Sequence, residues 1–216
     1  MESLRIFDLR ARDYDRWYDK HKVTYLNELK LVKSFRCAKA LEIGVGTGRF
    51  AADTGVVVGV DPSLNMLRMA SSRVQVIQAL GEHLPFRDGC FDCAYLIVTL
   101  CFVADPRRVL GEASRVADRV IACIVPRDSS WGRHYEKLKL RGHPIYSAAR
   151  FYRVEELVEM ASSLGLRLTR IYGTLSYGPS ELERLEEPRP IRIEEASKYG
   201  FIGMEFRGLR EELASP

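Results

Sequence analysis

Apolar and polar positions recur with two periods along the chain, and the switches between them mark its elements. From 9 to 30, Tyr14, Trp17, Tyr18, His21 and Tyr25 return every three or four positions, which predicts an amphipathic helix. Apolar runs too short for helices follow at 38–43, 56–60, 74–78, 91–98 and 120–125, each bounded by turn residues and each a predicted strand. Between them lie a short helix over 46–52, a second opened by Ser63 as N-cap with Leu64, Leu67 and Met69 as its apolar bulk, and a third over 106–116. Positions 127–150 are polar and carry no clear period. A helix over 154–164 that Gly165 terminates, a strand over 166–172 and a last strand over 199–207 complete the chain.

Strands alternating with helices predict an α/β fold: a doubly wound, mostly parallel, seven-stranded sheet with helices on both faces. Right-handed crossovers bring the loops of the first half to one carboxyl edge, where such sheets bind ligands. The long gap before the last strand suits an antiparallel closing pair. No repeat or internal boundary is visible, so 1–216 reads as one domain. Within it, 1–34 forms an N-terminal helical cap and 126–153 a substrate-side excursion. The glutamate-rich stretch 181–187 reads as a solvated face.

Composition narrows the class. Apolar content of 46% and charged content of 29% describe a soluble globular chain. No apolar run approaches the roughly 18–20 residues a membrane span needs. The mixed-charge start leads into no signal-like segment, so the expected location is cytoplasmic. Five cysteines in a domain this size read as reduced thiols. Cys90 and Cys93 have the spacing of a metal or redox pair but no matching second pair, so they read as packing, and no metal is expected. A net charge of +4 does not by itself call for nucleic acid. Asn27, Asn65, Gln75 and Gln78 are the only side-chain amides, a scarcity compatible with a hot habitat.

The densest chemistry lies in Leu41-Glu42-Ile43-Gly44-Val45-Gly46-Thr47-Gly48-Arg49, followed by an apolar run ending in Asp61. A dinucleotide site requires G-x-G-x-x-G. Here the third glycine arrives one position early and Arg49 follows it. Acid-x-G-x-G-x-G instead fits a smaller cofactor with a ribose and an amino-acid tail. The turn's amides can meet the tail's carboxylate. Glu42 can orient its amino end, and Asp61 can accept from both ribose hydroxyls.

On these residues, with Asp61-Pro62-Ser63-Leu64-Asn65-Met66-Leu67, Gly81-Glu82-His83-Leu84-Pro85-Phe86 and Phe91-Asp92-Cys93-Ala94, the chain resembles the class I S-adenosylmethionine-dependent methyltransferases. Within them it looks like the small-molecule branch with the Leu-Pro-Phe signature, the type 11-like methyltransferases, whose fold is Rossmann-like. The resemblance implies S-adenosylmethionine as cofactor, with Glu42 at its methionine end, Gly44, Val45, Gly46 and Gly48 in the turn against it, and Asp61 on the ribose. Pro62 and Met66 would flank the adenine, Leu80, Gly81 and Glu82 would meet its edge, and Thr99 and Leu100 would line the methionine pocket. Many relatives carry Asp where this chain has Leu80, so the adenine amino group needs a backbone carbonyl, Glu82 or water here.

Methyl transfer needs alignment and charge placement more than covalent chemistry, and a base only for an acceptor that arrives protonated. His134 is the first candidate base, followed by Tyr18 and His21, with Tyr135 and His143 behind them. Each also reads as a packing or surface residue. The aromatic spacing of the first helix suits a lid over cofactor and substrate as well as a face packed on the sheet. Cys101 falls just past the fourth strand, near the transfer site. A small-molecule acceptor is the leading reading. Seven basic against two acidic residues in 126–153 keep an RNA or protein acceptor open. Against that, Thr99-Leu100-Cys101-Phe102 is not the Asn/Asp-Pro-Pro-Tyr/Phe tetrad of enzymes that methylate nucleic-acid amines. A non-catalytic cofactor-binding protein is the third reading.

Overall fold

In the computed structural model, which describes residues 2–208, eight strands form one sheet in the order β3-β2-β1-β4-β5-β8-β6-β7. The strands are β1 (Ala40–Ile43), β2 (Val56–Asp61), β3 (Gln75–Gln78), β4 (Phe91–Ile97), β5 (Ala117–Ile124), β6 (Leu166–Thr174), β7 (Arg189–Pro190) and β8 (Phe201–Gly208). The first five run parallel; β8 enters antiparallel between β5 and β6. This is the doubly wound, Rossmann-like sheet with its closing antiparallel strand. The two-residue edge strand β7 raises the expected seven to eight.

Six helices flank the sheet: α1 (Glu2–Lys20), α2 (Lys22–Lys33), α3 (Leu64–Ala70), α4 (Pro106–Val116), α5 (Ser130–Leu140) and α6 (Val154–Ser162). Central strands buried on both faces separate two apolar cores. Leu41, Ile43, Ala94, Leu96, Val120 and Ala122 face α4 and α6, while Tyr95, Ile97, Ile121 and Cys123 face α1, α2 and α5. No helix among the described residues is long and apolar enough to cross a membrane.

Several expectations change. The N-terminal helix begins upstream of Leu9 and breaks at His21 into α1 and α2. The helix expected over 46–52 shrinks to a 3-10 turn at Ala51–Asp53, because the glycine turn uses those residues. Ser63 caps α3 by accepting from Met66 N, but Leu64 is exposed and Met66 takes its place inside. The polar stretch after β5 contains α5, capped by the Ser129 hydroxyl on Gly132 N (3.0 Å) and buried through Trp131 and Tyr135. Gly132 weakens its helical pattern, yet a Cβ there would fall 2.0 Å from the Pro126 carbonyl oxygen.

Segment 181–187 is solvent-exposed at every residue but Glu186, as expected, and it is also strapped against α2. Asn27 donates to the Arg184 carbonyl (2.8 Å) and accepts from Glu186 N (2.7 Å), while Lys30 pairs with Glu187. Not all five cysteines are thiols: Cys37 is disulfide-bonded to Cys93, leaving Cys90, Cys101 and Cys123 free. The described residues hold no group of three or more His, Cys, Asp or Glu side chains placed to bind a metal ion.

Candidate active site

The ends of β1, β2 and β4 meet at the carboxyl edge of the sheet. Gly44, Gly46 and Gly48 turn the chain there with φ of 74°, 53° and 79°, a region that side chains disfavour. Gly44 is required twice over, since a Cβ would stand 2.5 Å from Thr99 Cγ2. Thr99 is itself fixed by donating to the Ile43 carbonyl (3.0 Å). Four of the turn's amides, which are expected to meet a ligand carboxylate, are engaged within the protein. Gly44 and Val45 donate to Val60 O, Gly48 donates to Val45 O, and Gly46 donates to Asp61 Oδ2 (2.9 Å). What the turn offers a ligand is close approach to its backbone.

Asp61 is buried and accepts from Ser63 N at its other oxygen (2.9 Å). Each oxygen keeps acceptor capacity beyond these bonds. Burial pushes its pKa up, against the lowering effect of the two amides. Glu42 is more deeply placed, 2% exposed, and its Oε2 has no hydrogen-bond partner. Burial, reinforced by the charge of Asp61, lifts its pKa well above the ordinary carboxylate range. Both groups are therefore poised to gain from a positive charge brought near them.

Beside the turn opens a cavity of about 570 Å³. Such a volume is ordinary for a small-molecule site, roughly 300–1,000 Å³. Of the residues expected from sequence, Gly44, Gly46, Asp61, Pro62, Met66, Leu80, Gly81, Glu82 and Thr99 form its wall. Glu42, Val45, Gly48 and Leu100 do not. Val45 lies against Gly59, Gly48 against Ala70, and Leu100 is in the core. The carboxylate of Glu82 accepts from the amides of Ala104 and Asp105 (3.2 and 3.3 Å), bracing the loop that leads into α4.

The wall also contains residues the sequence reading missed: Leu4 and Phe7 of α1, Val98, Phe102, Val103 and Ala148. A signal existed for the first two, because Leu4, Phe7, Ala11, Tyr14 and Tyr18 repeat at intervals of three and four. Val98 carries a φ of 52°, which no sequence pattern announces.

None of the three candidate bases lies on the wall. Tyr18 is buried one residue deeper, its hydroxyl 2.8 Å from that of Tyr14, which does line the cavity. Burial raises both phenols, so each serves as a neutral hydroxyl. His21 lies against Trp17 with Nδ1 3.7 Å from Glu183. His134 is half-buried on α5, edge-on to Tyr135. Of the other candidates, Tyr135 stacks on Tyr146, and His143, whose pKa burial and then Arg10 pull down, stacks on the same ring.

Comparison with known proteins adds an independent line. Residues 41–119 match the family described as methyltransferase domain. A crystal structure from Thermotoga maritima, of a SAM-dependent methyltransferase and possible histamine N-methyltransferase, superposes with a TM-score of 0.87 at 36% identity, covering 95% of this chain and 99% of that one. An uncharacterised protein of Methanocaldococcus jannaschii is 35% identical over 188 residues, 85% of this chain and 91% of its own length. A demethylmenaquinone methyltransferase of Roseiflexus castenholzii is 33% identical over 142 residues, 60% of this chain and 55% of its own length. The chain belongs to the class I S-adenosylmethionine-dependent methyltransferases.

The residues present fit that cofactor. A sulfonium nucleoside with an amino-acid tail needs a diol acceptor and negative charge near its cations. Asp61 has spare acceptor capacity, and Glu42 holds an orphaned buried oxygen close to the turn.

Proposed function

We propose that this methyltransferase acts on a small-molecule acceptor by direct in-line transfer, as a member of the type 11-like branch. Asp61 holds the ribose hydroxyls, Glu42 compensates the tail's ammonium group, and Pro62 and Met66 flank the adenine beside Leu80, Gly81 and Glu82. S-adenosylmethionine, when bound, supplies an activated methyl group on sulfur. The chain's residues align it, keep water out and give the acceptor one approach.

The observation that carries this reading is the apolar part of the wall. Leu4, Phe7 and Tyr14 of α1 line the cavity beside Phe102, and Phe7 packs edge-on to Tyr14 and Phe102 at 5.6 and 4.8 Å. An apolar lining of this kind suits a compact acceptor. The basic residues of 126–153 are also partly spent within the protein: Arg127 pairs with Glu156 (3.1 Å), Arg150 lies over the Tyr152 ring, and Arg133 and Lys139 donate to backbone carbonyls. The small substrates named for the Thermotoga and Roseiflexus relatives point the same way.

Calorimetry with S-adenosylmethionine and S-adenosylhomocysteine tests the cofactor site: both bind, and Asp61→Ala weakens them roughly 10- to 100-fold. Absence of binding to either overturns the reading. Demethylation of S-adenosylmethionine across a panel of small nucleophiles separates turnover from mere binding. A salt-dependent gel shift with bulk tRNA would favour the nucleic-acid alternative.

A further inference from the structure

The glycine turn offers the cofactor's carboxylate few donors. The amides of Gly44, Val45, Gly46 and Gly48 are spent on Val60, Val45 and Asp61. Two arginines at the turn are spent as well. Arg49 pairs with Asp15 and Asp19 (2.6 and 2.8 Å), and Arg73 with Asp15 (3.1 Å) and the Thr47 carbonyl (2.6 Å). On the cavity wall, the basic residues among those described are Arg108 and His83, which bond one another (3.0 Å) where the loop after β3 meets α4. An anion taken out of water needs donors, so the carboxylate must be met by something else.

Hydroxyls remain. Four line the wall: Ser3, Tyr14, Ser63 and Thr99. Ser63 gives its proton to Asp8 (2.8 Å) and Thr99 to the Ile43 carbonyl (3.0 Å). Ser3 stands eleven positions before Tyr14, about 16 Å along the helix. Tyr14 stands over the turn itself, its Cε1 3.7 Å from where a Cβ on Gly46 would be. Its hydroxyl lies 2.8 Å from that of Tyr18, which is buried one helical turn further on and does not reach the cavity. Two neutral phenols so placed carry two protons, and the bond between them uses one. Neither hydroxyl has another partner among the described residues. Were Tyr14 the donor within the pair, the leftover proton would be sealed in at Tyr18 with no acceptor, a costly arrangement. With Tyr18 donating, the leftover proton sits on Tyr14, at the wall.

We propose that Tyr14, with Tyr18 donating behind it, receives the carboxylate of the cofactor's amino-acid tail, so that α1 is part of the cofactor site as well as a wall against the acceptor. This rests on the cofactor assignment above and adds to it two residues outside the strand–glycine–strand unit. Donation from Tyr18 polarises the Tyr14 hydroxyl and strengthens its bond to an anion. Phe7, edge-on to the Tyr14 ring at 5.6 Å, and Tyr18, edge-on at 5.4 Å, hold that ring in place. Tyr14 is the binding residue here, and Tyr18 acts through it.

Calorimetry on the full chain tests this with two ligands that differ only in the group at issue: S-adenosylhomocysteine and its decarboxylated analogue, which keeps the amine. Tyr14→Phe keeps the ring and removes the donor. It should weaken S-adenosylhomocysteine roughly 10- to 100-fold and leave the analogue within about twofold, erasing the native chain's preference for the carboxylate. Tyr18→Phe leaves the Tyr14 proton but not the donation behind it, and should cost S-adenosylhomocysteine about two- to fivefold while sparing the analogue. Equal loss for both ligands in Tyr14→Phe would make the tyrosine a packing residue, and no loss would put the donor elsewhere; either result overturns the proposal. Should Tyr14→Phe not fold, Tyr18→Phe decides: loss confined to the carboxylate-bearing ligand supports the proposal, and any other result overturns it. If the native chain binds neither ligand, the cofactor reading beneath it fails instead.

Discussion

Val98 and Cys101 show how much of the site is decided by single residues at the end of β4. A β-branched residue at φ 52° is strained, at a cost on the order of 1–3 kcal/mol. At that bend Val98 joins the cavity wall and Thr99 packs over Gly44. The Val98 carbonyl accepts from Cys101 Sγ (3.3 Å), and burial pushes the Cys101 thiol up to about 12. Proximity to the transfer site therefore does not make it a nucleophile, since a protonated, buried thiol reacts slowly. On brief treatment of the native protein with iodoacetamide at mildly alkaline pH, peptide mass spectrometry should find Cys90 modified, because it is free and partly exposed, and Cys101 untouched. Equal labelling of the two would show that Cys101 is open to solvent where the structure has it buried.

At the scale of elements, α1 turns an open sheet edge into a chamber, and polar contacts hold it there. Near its start, Asp8 accepts from Ser63 Oγ (2.8 Å) and Asn65 N (3.0 Å), seating the helix on the N-terminus of α3. Past the break in helical geometry at Arg10, Arg49 of the glycine turn binds Asp15 and Asp19 (2.6 and 2.8 Å). Asp8→Ala should free the first half and leave the second docked. The expected result is faster hydrogen exchange in residues 3–9, roughly fivefold for each bond worth about 1 kcal/mol, with residues 14–20 unaffected. The Asn65 amide, then the Ser63 hydroxyl, lower the Asp8 pKa, so this anchor is complete above the ordinary carboxylate range and is lost as pH falls through the depressed value. Uniform acceleration along α1 would contradict the two-anchor picture. Much of this architecture was legible in advance. Ser63 capping α3, Pro106 opening α4 and the strand–glycine–strand order are local signals, and β1, β2, β4 and α4 fall where periodicity predicts. The misses are non-local. Gly132 disguised α5 because its reason is a carbonyl six residues upstream. The acidic segment is solvated as it looked, but its ties to α2 went unread because Asn27 and Lys30 lie more than 150 positions away. Cys37 and Cys93 become neighbours only once β1 and β4 pair.

Considered whole, the molecule joins a parallel half that makes the cofactor edge to an antiparallel half that completes the sheet, and the joint is electrostatic as well as hydrogen-bonded. Glu205 in β8, 2% exposed, pairs with Arg119 of the neighbouring β5 (2.6 Å), with Arg170 of β6 on its other side, and with Arg207 (3.2 Å). Arg119 and Arg170 also donate to the Phe35 carbonyl just after α2, so one carboxylate fastens three strands and the cap. Burial acts to raise the Glu205 pKa, but the hydrogen bonds from Arg170, Arg119 and Thr169 outweigh it and hold it at about 2, against 4.5 for a free glutamate. A carboxyl group with a depressed folded pKa stabilises the native state fully above its unfolded pKa, and that contribution disappears as pH falls through the folded value. The shift corresponds to about 3 kcal/mol, an order-of-magnitude figure for so coupled a cluster. Glu205→Gln would leave three arginines facing one another around a neutral amide, with an expected loss of about 3–5 kcal/mol near neutral pH. In denaturant titrations between about pH 7 and pH 2, the native chain should lose stability most steeply below about pH 4.5, and the variant should start lower and lose less across that window. Parallel curves for the two proteins would mean that the arginines find other partners and that the two halves are held together by strand pairing and packing without this cluster.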